Sequence, residues 1–196
     1  MRLPNTLTFV IANFLFVLAL CVVPAFSQAG NRATERPHQR QWLTRFREEL
    51  PLLGHRNWIA VVDSAYPLQT SPGLETVETS DDQLDVVQEV LDRVEKSGHV
   101  RAVVFTDEEL KAVPESDAPG VDAYRAALGH LLEKSPAQSL PHEQIIAKLG
   151  EAGNTFHVLV LKTKMTIPYT SVFIRLDCGY WTDEQEKRLR QKMAGK

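Results

Sequence analysis

Short apolar runs alternate with amphipathic patterns along most of the chain. Runs of five or six mostly apolar residues predict buried strands over 58–62, 100–105, 156–161 and 171–176. Apolar residues at helical spacing predict helices over 41–53, 81–97, 121–134 and 142–152, and a polar helix over 182–193. This alternation predicts a single domain of the α/β class, a three-layer α/β/α sandwich with a mainly parallel sheet.

The connections refine this picture. Residues 67–80 are rich in Pro, Gly, Ser and Thr and are typical of a loop, after which Ser80 is placed to cap the next helix. Only nine residues, 162–170, separate the last two strands. A parallel crossover usually needs a dozen or more residues, so we expect these two strands to run antiparallel or to be joined by an irregular turn.

The N-terminal residues differ from the rest. Arg2 precedes an uncharged apolar run over 7–23, and Ala25 and Ser27 are small residues before a possible cut. This pattern predicts a signal peptide over 1–27 and export to the periplasm or the extracellular space, without stable membrane association after cleavage. The alternative is a retained anchor, although the run is slightly short for a span of about 20 residues. We further expect a flexible leader over 28–40, the domain over 41–181 and a helical extension over 182–196.

Composition narrows the function. The net charge is −3 and no basic stripe is present, which argues against nucleic acid as the main partner. Only Cys178 follows the predicted signal peptide, so no internal disulfide is expected. No glycine-rich phosphate loop, nucleophile elbow or paired Cys-x-x-Cys motif occurs, and we predict neither a cofactor nor a metal.

The candidate chemistry lies at strand ends, where open α/β sheets place their ligands. His55 precedes strand 58–62 and Asp63 follows it. The strand spans roughly 17 Å, so the two residues are expected near its opposite ends. They could meet if a loop folds back or if two subunits share a site, and the pair alone favours a structural role. His142 starts a helix, where a solvated residue is common, and Tyr169 precedes the last strand, where a core-edge role is equally open.

Together these segments resemble one family. Gly54-His55, Asp63 and Pro67 are similar to the opening motif of the ribose pyranase / fucose mutarotase (RbsD/FucU-like) family, and the Asp63–Pro67 spelling is closer to the fucose branch. The further segments that resemble family motifs are Val121-Asp122-Ala123-Tyr124, Pro141-His142-Glu143-Gln144 and Thr166-Ile167-Pro168-Tyr169-Thr170-Ser171. The resemblance spans about residues 43–180, and the order and spacing of the motifs carry it.

The resemblance implies an isomerase that interconverts anomers or ring forms of a free monosaccharide, without metal or cofactor. It implies a homo-oligomer with sites at subunit interfaces. Carried over residue by residue, His55 matches the catalytic acid/base. The residues that match sugar contacts are Asp63, Tyr124, His142, Tyr169 and Ser171.

Three departures from the family pattern widen the functional hypotheses. Asn57 stands where the family usually has Asp, Met165 where the fucose branch has Glu, and Ser171 where the family has Asn. The first hypothesis is an exported mutarotase-like enzyme. The second is a monosaccharide-binding protein that keeps the fold without catalysis, and the third is a purely structural exported domain.

Overall fold

A computed structural model describes residues 37–195, with side chains from residue 41 onward. The predicted signal peptide and residues 28–36 of the predicted leader lie outside the described residues. The helices are α1 (Pro37–Glu49), α2 (Gln83–Ser97), α3 (Val121–Leu131), α4 (His142–Gly153) and α5 (Asp183–Ala194), with short 3-10 helices at Leu50–Leu52 and Glu108–Lys111. The strands are β1 (Trp58–Val62), β2 (Leu74–Glu78), β3 (Val100–Asp107), β4 (Gln138–Leu140), β5 (Val158–Lys162) and β6 (Val172–Cys178).

The strands form one sheet in the order β2-β5-β1-β6-β3-β4. The pairs β2–β5, β5–β1 and β3–β4 are parallel, whereas β6 is antiparallel to both β1 and β3. The strands β1 to β5 therefore share one direction and β6 opposes them. Their C-terminal ends and the start of β6 lie at one edge, here called the carboxyl edge, and the opposite ends lie at the amino edge.

The sheet separates two hydrophobic cores. Along β1, Ile59 and Val61 face a core completed by α1, α2 and α3, while Trp58, Ala60 and Val62 face a core completed by α4. All five residues of β1 are buried because helices cover both faces. This confirms the α/β fold class and the three-layer arrangement with a mainly parallel sheet.

The prediction of a loop over 67–80 is wrong for β2, and the three-residue strand β4 was not predicted. β2 has the sequence LETVE and lies at the sheet edge, half-buried, so its polar residues hide the strand pattern. Gly73 leads into it against the backbone of α4, donating its N–H to the Gly153 carbonyl at 2.9 Å. A Cβ on Gly73 would lie 2.2 Å from the Phe156 carbonyl oxygen, so this entry requires glycine.

The prediction that Ser80 caps helix α2 is wrong. Asp82 occupies the N-cap position, and the backbone N–H and hydroxyl of Ser80 instead bond to the Glu78 carboxylate. Helix α1 begins at Pro37, four residues before the predicted start. β5 and β6 do run in opposite directions as expected, although β1 lies between them.

The last helix is polar, as the sequence predicts. Thr182 and Gln185 form a capping box at its start, and α5 has no buried residue. Among the residues that the structure describes, no helix combines the length and apolar character that a membrane crossing requires.

Candidate functional site

A cavity of about 450 Å³ opens at the carboxyl edge. It lies between the loop after β1, the start of α4 and the loop before β6. Its lining residues are Asp63, Ser64, Ala65, Tyr66, Pro67, His142, Thr166, Pro168 and Tyr169. The cavity forms here because the parallel strands end at this edge and their following loops diverge.

Asp63 follows β1 directly and faces two partners. One carboxylate oxygen accepts the backbone N–H of Ala65 at 2.8 Å, which fixes the turn after the strand. The other lies 3.4 Å from the hydroxyl of Ser171, which donates to it. The antiparallel pairing of β1 and β6 thus brings together two predicted site residues that are 108 positions apart.

His142 is held at the first turn of α4 by acidic groups. Its Nδ1 lies 3.0 Å from Oδ1 of Asp107, the last residue of β3. Its backbone N–H donates to both carboxylate oxygens of Glu109 at 3.0 Å, which satisfies one of the unpaired N–H groups of the helix start. The ring of Tyr169 meets the imidazole edge-to-face, with 5.6 Å between the ring centroids.

Tyr169 adopts a left-handed backbone conformation with φ of 59°. Such a conformation costs a non-glycine residue of order 1–3 kcal/mol and persists only where its surroundings hold it. The hydroxyl of the next residue, Thr170, donates to the Ile167 carbonyl at 2.8 Å and closes the loop. The loop therefore presents the Tyr169 ring, 39% exposed, at the cavity.

A buried polar network anchors this loop to the core. The Thr170 carbonyl accepts from the Tyr124 hydroxyl at 2.7 Å and from the Gln83 side-chain amide. The Gln83 carbonyl in turn accepts from the Thr163 hydroxyl at 3.1 Å. Tyr124 lies inside the core and does not line the cavity, so its predicted sugar contact stays a prediction, and its visible role is to hold Thr170.

Two buried acidic groups beside the cavity have displaced pKa values. Burial raises the pKa of Asp107, while the hydrogen bond from His142 opposes the rise. Burial, together with the nearby carboxylates of Asp107 and Asp63, raises the pKa of Tyr66 to about 12. Within the described chain neither the Tyr66 hydroxyl nor Oδ2 of Asp107 has a hydrogen-bond partner.

His55 lies at the amino edge, away from these groups. It precedes β1, its Nε2 is 3.3 Å from Oδ1 of Asp177 near the end of β6, and its side chain is 57% exposed. Arg101 binds the second oxygen of Asp177 at 2.6 Å. A single chain thus keeps His55 and Asp63 at opposite ends of β1, as the strand length predicts.

One further group of side chains has the spacing of a metal site. Glu49, Glu75 and His157 place their ligand atoms within 4.8 Å of one another. Arg45, however, bonds to Glu49 at 2.6 Å and to Glu75 at 2.9 Å. The guanidinium already supplies the positive charge that a bound cation would bring, so this group is an ion-pair cluster.

The fold resembles that of a solved structure, although sequence comparisons find no match. No family model matches the sequence, and no curated protein matches it. Among solved structures, RbsD from Bacillus subtilis, determined in complex with D-ribose, matches with a TM-score of 0.50 and 17% identity over 68% of this chain and 92% of RbsD. The chain has the RbsD fold.

Two other solved structures share lower TM-scores with the chain. The fucose mutarotase from Streptococcus pneumoniae, determined with L-fucose, has a TM-score of 0.43 and 14% identity over 72% of this chain and 92% of that one. FucU from Bifidobacterium longum has a TM-score of 0.45 and 12% identity over 68% and 94%. The fold implied by the sequence resemblance is confirmed, whereas the closeness to the fucose branch and the signal peptide stay predictions.

The sequence analysis assigns no role to three residues that line the cavity or contact His142: Asp107, Tyr66 and Glu109. Asp107 ends a buried strand as Asp63 does, and that position was the available signal, but the run Asp107-Glu108-Glu109 is more typical of a helix start. Tyr66 was part of the recognised motif without an assigned role. Glu109 reaches His142 from the 3-10 helix, a contact that no local pattern indicates.

Proposed function

We propose that the protein interconverts anomers or ring forms of a free, fucose- or ribose-like monosaccharide by general acid/base proton transfer without a cofactor. One observation carries this proposal. An imidazole (His142), a carboxylate (Asp63) and a partly exposed tyrosine (Tyr169) line the same cavity of about 450 Å³. This volume lies in the range of small-molecule sites, and convergent polar groups of this kind suit a polyhydroxylated ligand. RbsD, which shares the fold, was determined with bound D-ribose.

The chemistry requires two proton transfers. A base removes the proton of the anomeric hydroxyl while the bond to the ring oxygen breaks, and an acid protonates that oxygen; closure on the other face reverses the roles. An imidazole suits both roles because its unperturbed pKa lies near 6.5. We assign the acid/base role to His55 and sugar binding to Asp63, His142 and Tyr169, which line the cavity. Ser171 is buried outside the lining and bonds to Asp63, so its predicted sugar contact would act through Asp63.

The position of His55 supports a site shared between two copies of the chain. His55 is 57% exposed at the amino edge and held by Asp177, so it can reach a neighbouring copy. Asp63 lies at the other end of β1, a strand that spans roughly 17 Å. We propose that His55 of one copy completes the carboxyl-edge cavity of the next copy in a homo-oligomer.

We also propose export, which rests on the pattern over 1–27 alone. Mass spectrometry of the mature protein checks it: the chain should begin at Gln28, and an intact Met1 on protein recovered from the cytoplasm would refute it.

Saturation-transfer NMR tests the catalytic proposal. The wild-type protein should accelerate anomer or ring-form exchange of D-ribose or L-fucose above the buffer rate. His55→Ala should lower the rate constant by about 100-fold or more, because a positioned acid/base contributes that much. His130→Ala is the matched control, since His130 is an exposed histidine paired with Glu133. Exchange at the buffer rate with every sugar, or full activity of His55→Ala, contradicts the proposal.

A second candidate is sugar binding without catalysis. Ser171, where the family has Asn, is fully buried and contacts Asp63 at a long 3.4 Å, so it offers fewer polar contacts than an amide. Calorimetry that detects sugar binding by a protein with no exchange activity favours this candidate.

A further inference from the structure

Asp107 is a buried acidic side chain that does not line the cavity but contacts His142, which does. It ends β3, its side chain is 0% exposed, and Oδ1 lies 3.0 Å from Nδ1 of His142. Asp63 and Glu109 are the other acidic groups that act on it, from the loop after β1 and from the 3-10 helix, and Tyr66 stands nearby. The only hydrogen-bond partner of its carboxylate within the described chain is His142. Burying a carboxylate costs free energy, which its hydrogen bond to His142 partly offsets. A buried carboxylate with one imidazole partner is suited to orienting that imidazole.

The contact between Asp107 and His142 bears on which nitrogen of the imidazole carries the proton. An ionised carboxylate can only accept a hydrogen bond, so its position opposite Nδ1 favours the tautomer with the proton on Nδ1 and the lone pair on Nε2. Nε2 has no hydrogen-bond partner among the described residues, and His142 lines the cavity. The edge-to-face contact with Tyr169 and the Glu109 contacts to the helix start fix the tilt of the ring.

We propose that Asp107 is a positioning residue that makes His142 a second acid/base of the site, a role that rests on the proposed function. Nε2 of His142 takes the proton of the anomeric hydroxyl as C1 forms a carbonyl and the C1–O bond to the ring oxygen breaks. The electron pair of that bond goes to the ring oxygen, which takes a proton from the protonated His55 of the neighbouring copy. The carboxylate of Asp107 stabilises the imidazolium that forms on His142, and ring closure returns both protons.

Two substitutions of Asp107 test this role. Asp107→Asn should lower the exchange rate constant for D-ribose or L-fucose by about 10- to 100-fold, because the orienting carboxylate is lost, with little change in the sugar Kd. Asp107→Glu should restore part of the rate. Glu133→Gln is the matched control, since the Glu133 carboxylate lies 2.9 Å from Nδ1 of the exposed His130. This substitution should leave the exchange rate unchanged.

The ¹⁵N chemical shifts of His142 provide a readout that a purely structural role does not move. The wild-type ring should be in the Nδ1–H form, and Asp107→Asn should lose this preference. A wild-type ring in the Nε2–H form, or an unchanged exchange rate in Asp107→Asn, overturns the proposal. If Asp107→Asn does not fold, the wild-type tautomer and the rate of Asp107→Glu decide. If wild-type protein exchanges no sugar, the proposed function fails, while the tautomer still tests the positioning.

Discussion

At the scale of single residues, Tyr66 presents a polar atom that the described chain leaves without a partner. Its ring is 5% exposed and lines the cavity, yet its hydroxyl makes no hydrogen bond. An unsatisfied buried hydroxyl costs about 1–3 kcal/mol. A sugar hydroxyl that displaces the groups covering this atom would recover that free energy, which makes Tyr66 a candidate determinant of sugar affinity.

We expect Tyr66→Phe to separate binding from stability. The sugar Kd should rise about 5- to 10-fold, corresponding to roughly one hydrogen bond, because the ligand loses its partner. The free energy of unfolding should stay the same or increase, since the removed hydroxyl was unpaired. Calorimetry with D-ribose and L-fucose and urea unfolding measure the two effects.

Tyr180→Phe is the control for this substitution, because Tyr180 is 76% exposed and lies outside the cavity. It should change neither quantity. A Tyr66→Phe protein that binds sugar as the wild type does would show that no ligand meets this hydroxyl.

The sequence predicts individual site residues where a residue type and a strand end coincide. Asp63 follows a predicted strand and His142 starts a predicted helix, and the structure places both at the cavity. The contact between Asp107 and His142 spans 35 positions and depends on how β3 and β4 pair, which no local pattern contains. Tertiary pairing therefore adds the carboxylate that orients the histidine.

At the scale of elements, the loop before β6 depends on α2. Gln83, in the first turn of α2, is fully buried and bonds to Thr170, Tyr124 and Thr163. It thus ties the helix to the loop that carries Tyr169. The sequence gives no hint of this, because a glutamine at a helix start is ordinarily solvated.

Gln83→Met should destabilise the protein by about 1–3 kcal/mol, because the length of the side chain is kept while buried polar partners lose their bonds. Gln88→Met is the matched control on the same helix. Gln88 is exposed and, among the described residues, its side chain bonds only to Asp92, so its substitution should cost about 0.5 kcal/mol or less. Urea unfolding measures both, and equal costs would show that the Gln83 network contributes nothing beyond helix propensity.

The sequence predicted the buried central strands but not β2 and β4, the two outermost strands of the sheet. β1 and β5 are apolar along almost their whole length because helices cover both faces. β2 and β4 are edge strands with polar residues, and β4 has only three residues. An edge strand needs its neighbour to form, so its own sequence carries little signal.

At the scale of the whole molecule, the two halves of the proposed site lie at opposite edges of the sheet. Asp63 and His142 line the carboxyl-edge cavity, and His55 lies at the amino edge with Asp177. The proposal of a shared site therefore requires contact between copies. Light scattering coupled to size exclusion should show an oligomer.

Mixing two inactive variants tests the shared site directly. His55→Ala and Asp63→Asn should each lose exchange activity alone. After unfolding and refolding together in equal amounts, about a quarter of the sites should combine an intact His55 with an intact Asp63, and activity should return to about a quarter of the wild-type value. Two His55→Ala samples mixed with each other serve as the control. No recovery in the mixed oligomer would place the complete site within one copy.

β6 connects both edges. Its residues alternate between the two cores, with Ile174 on one side and Phe173 on the other, so a slip of one position would exchange them between opposite faces. The strand therefore keeps Ser171 and Asp177 roughly 20 Å apart. Packing on both faces holds this register, so the two halves of the proposed site keep a fixed separation within one copy. The geometry of a complete site would then depend on how neighbouring copies meet.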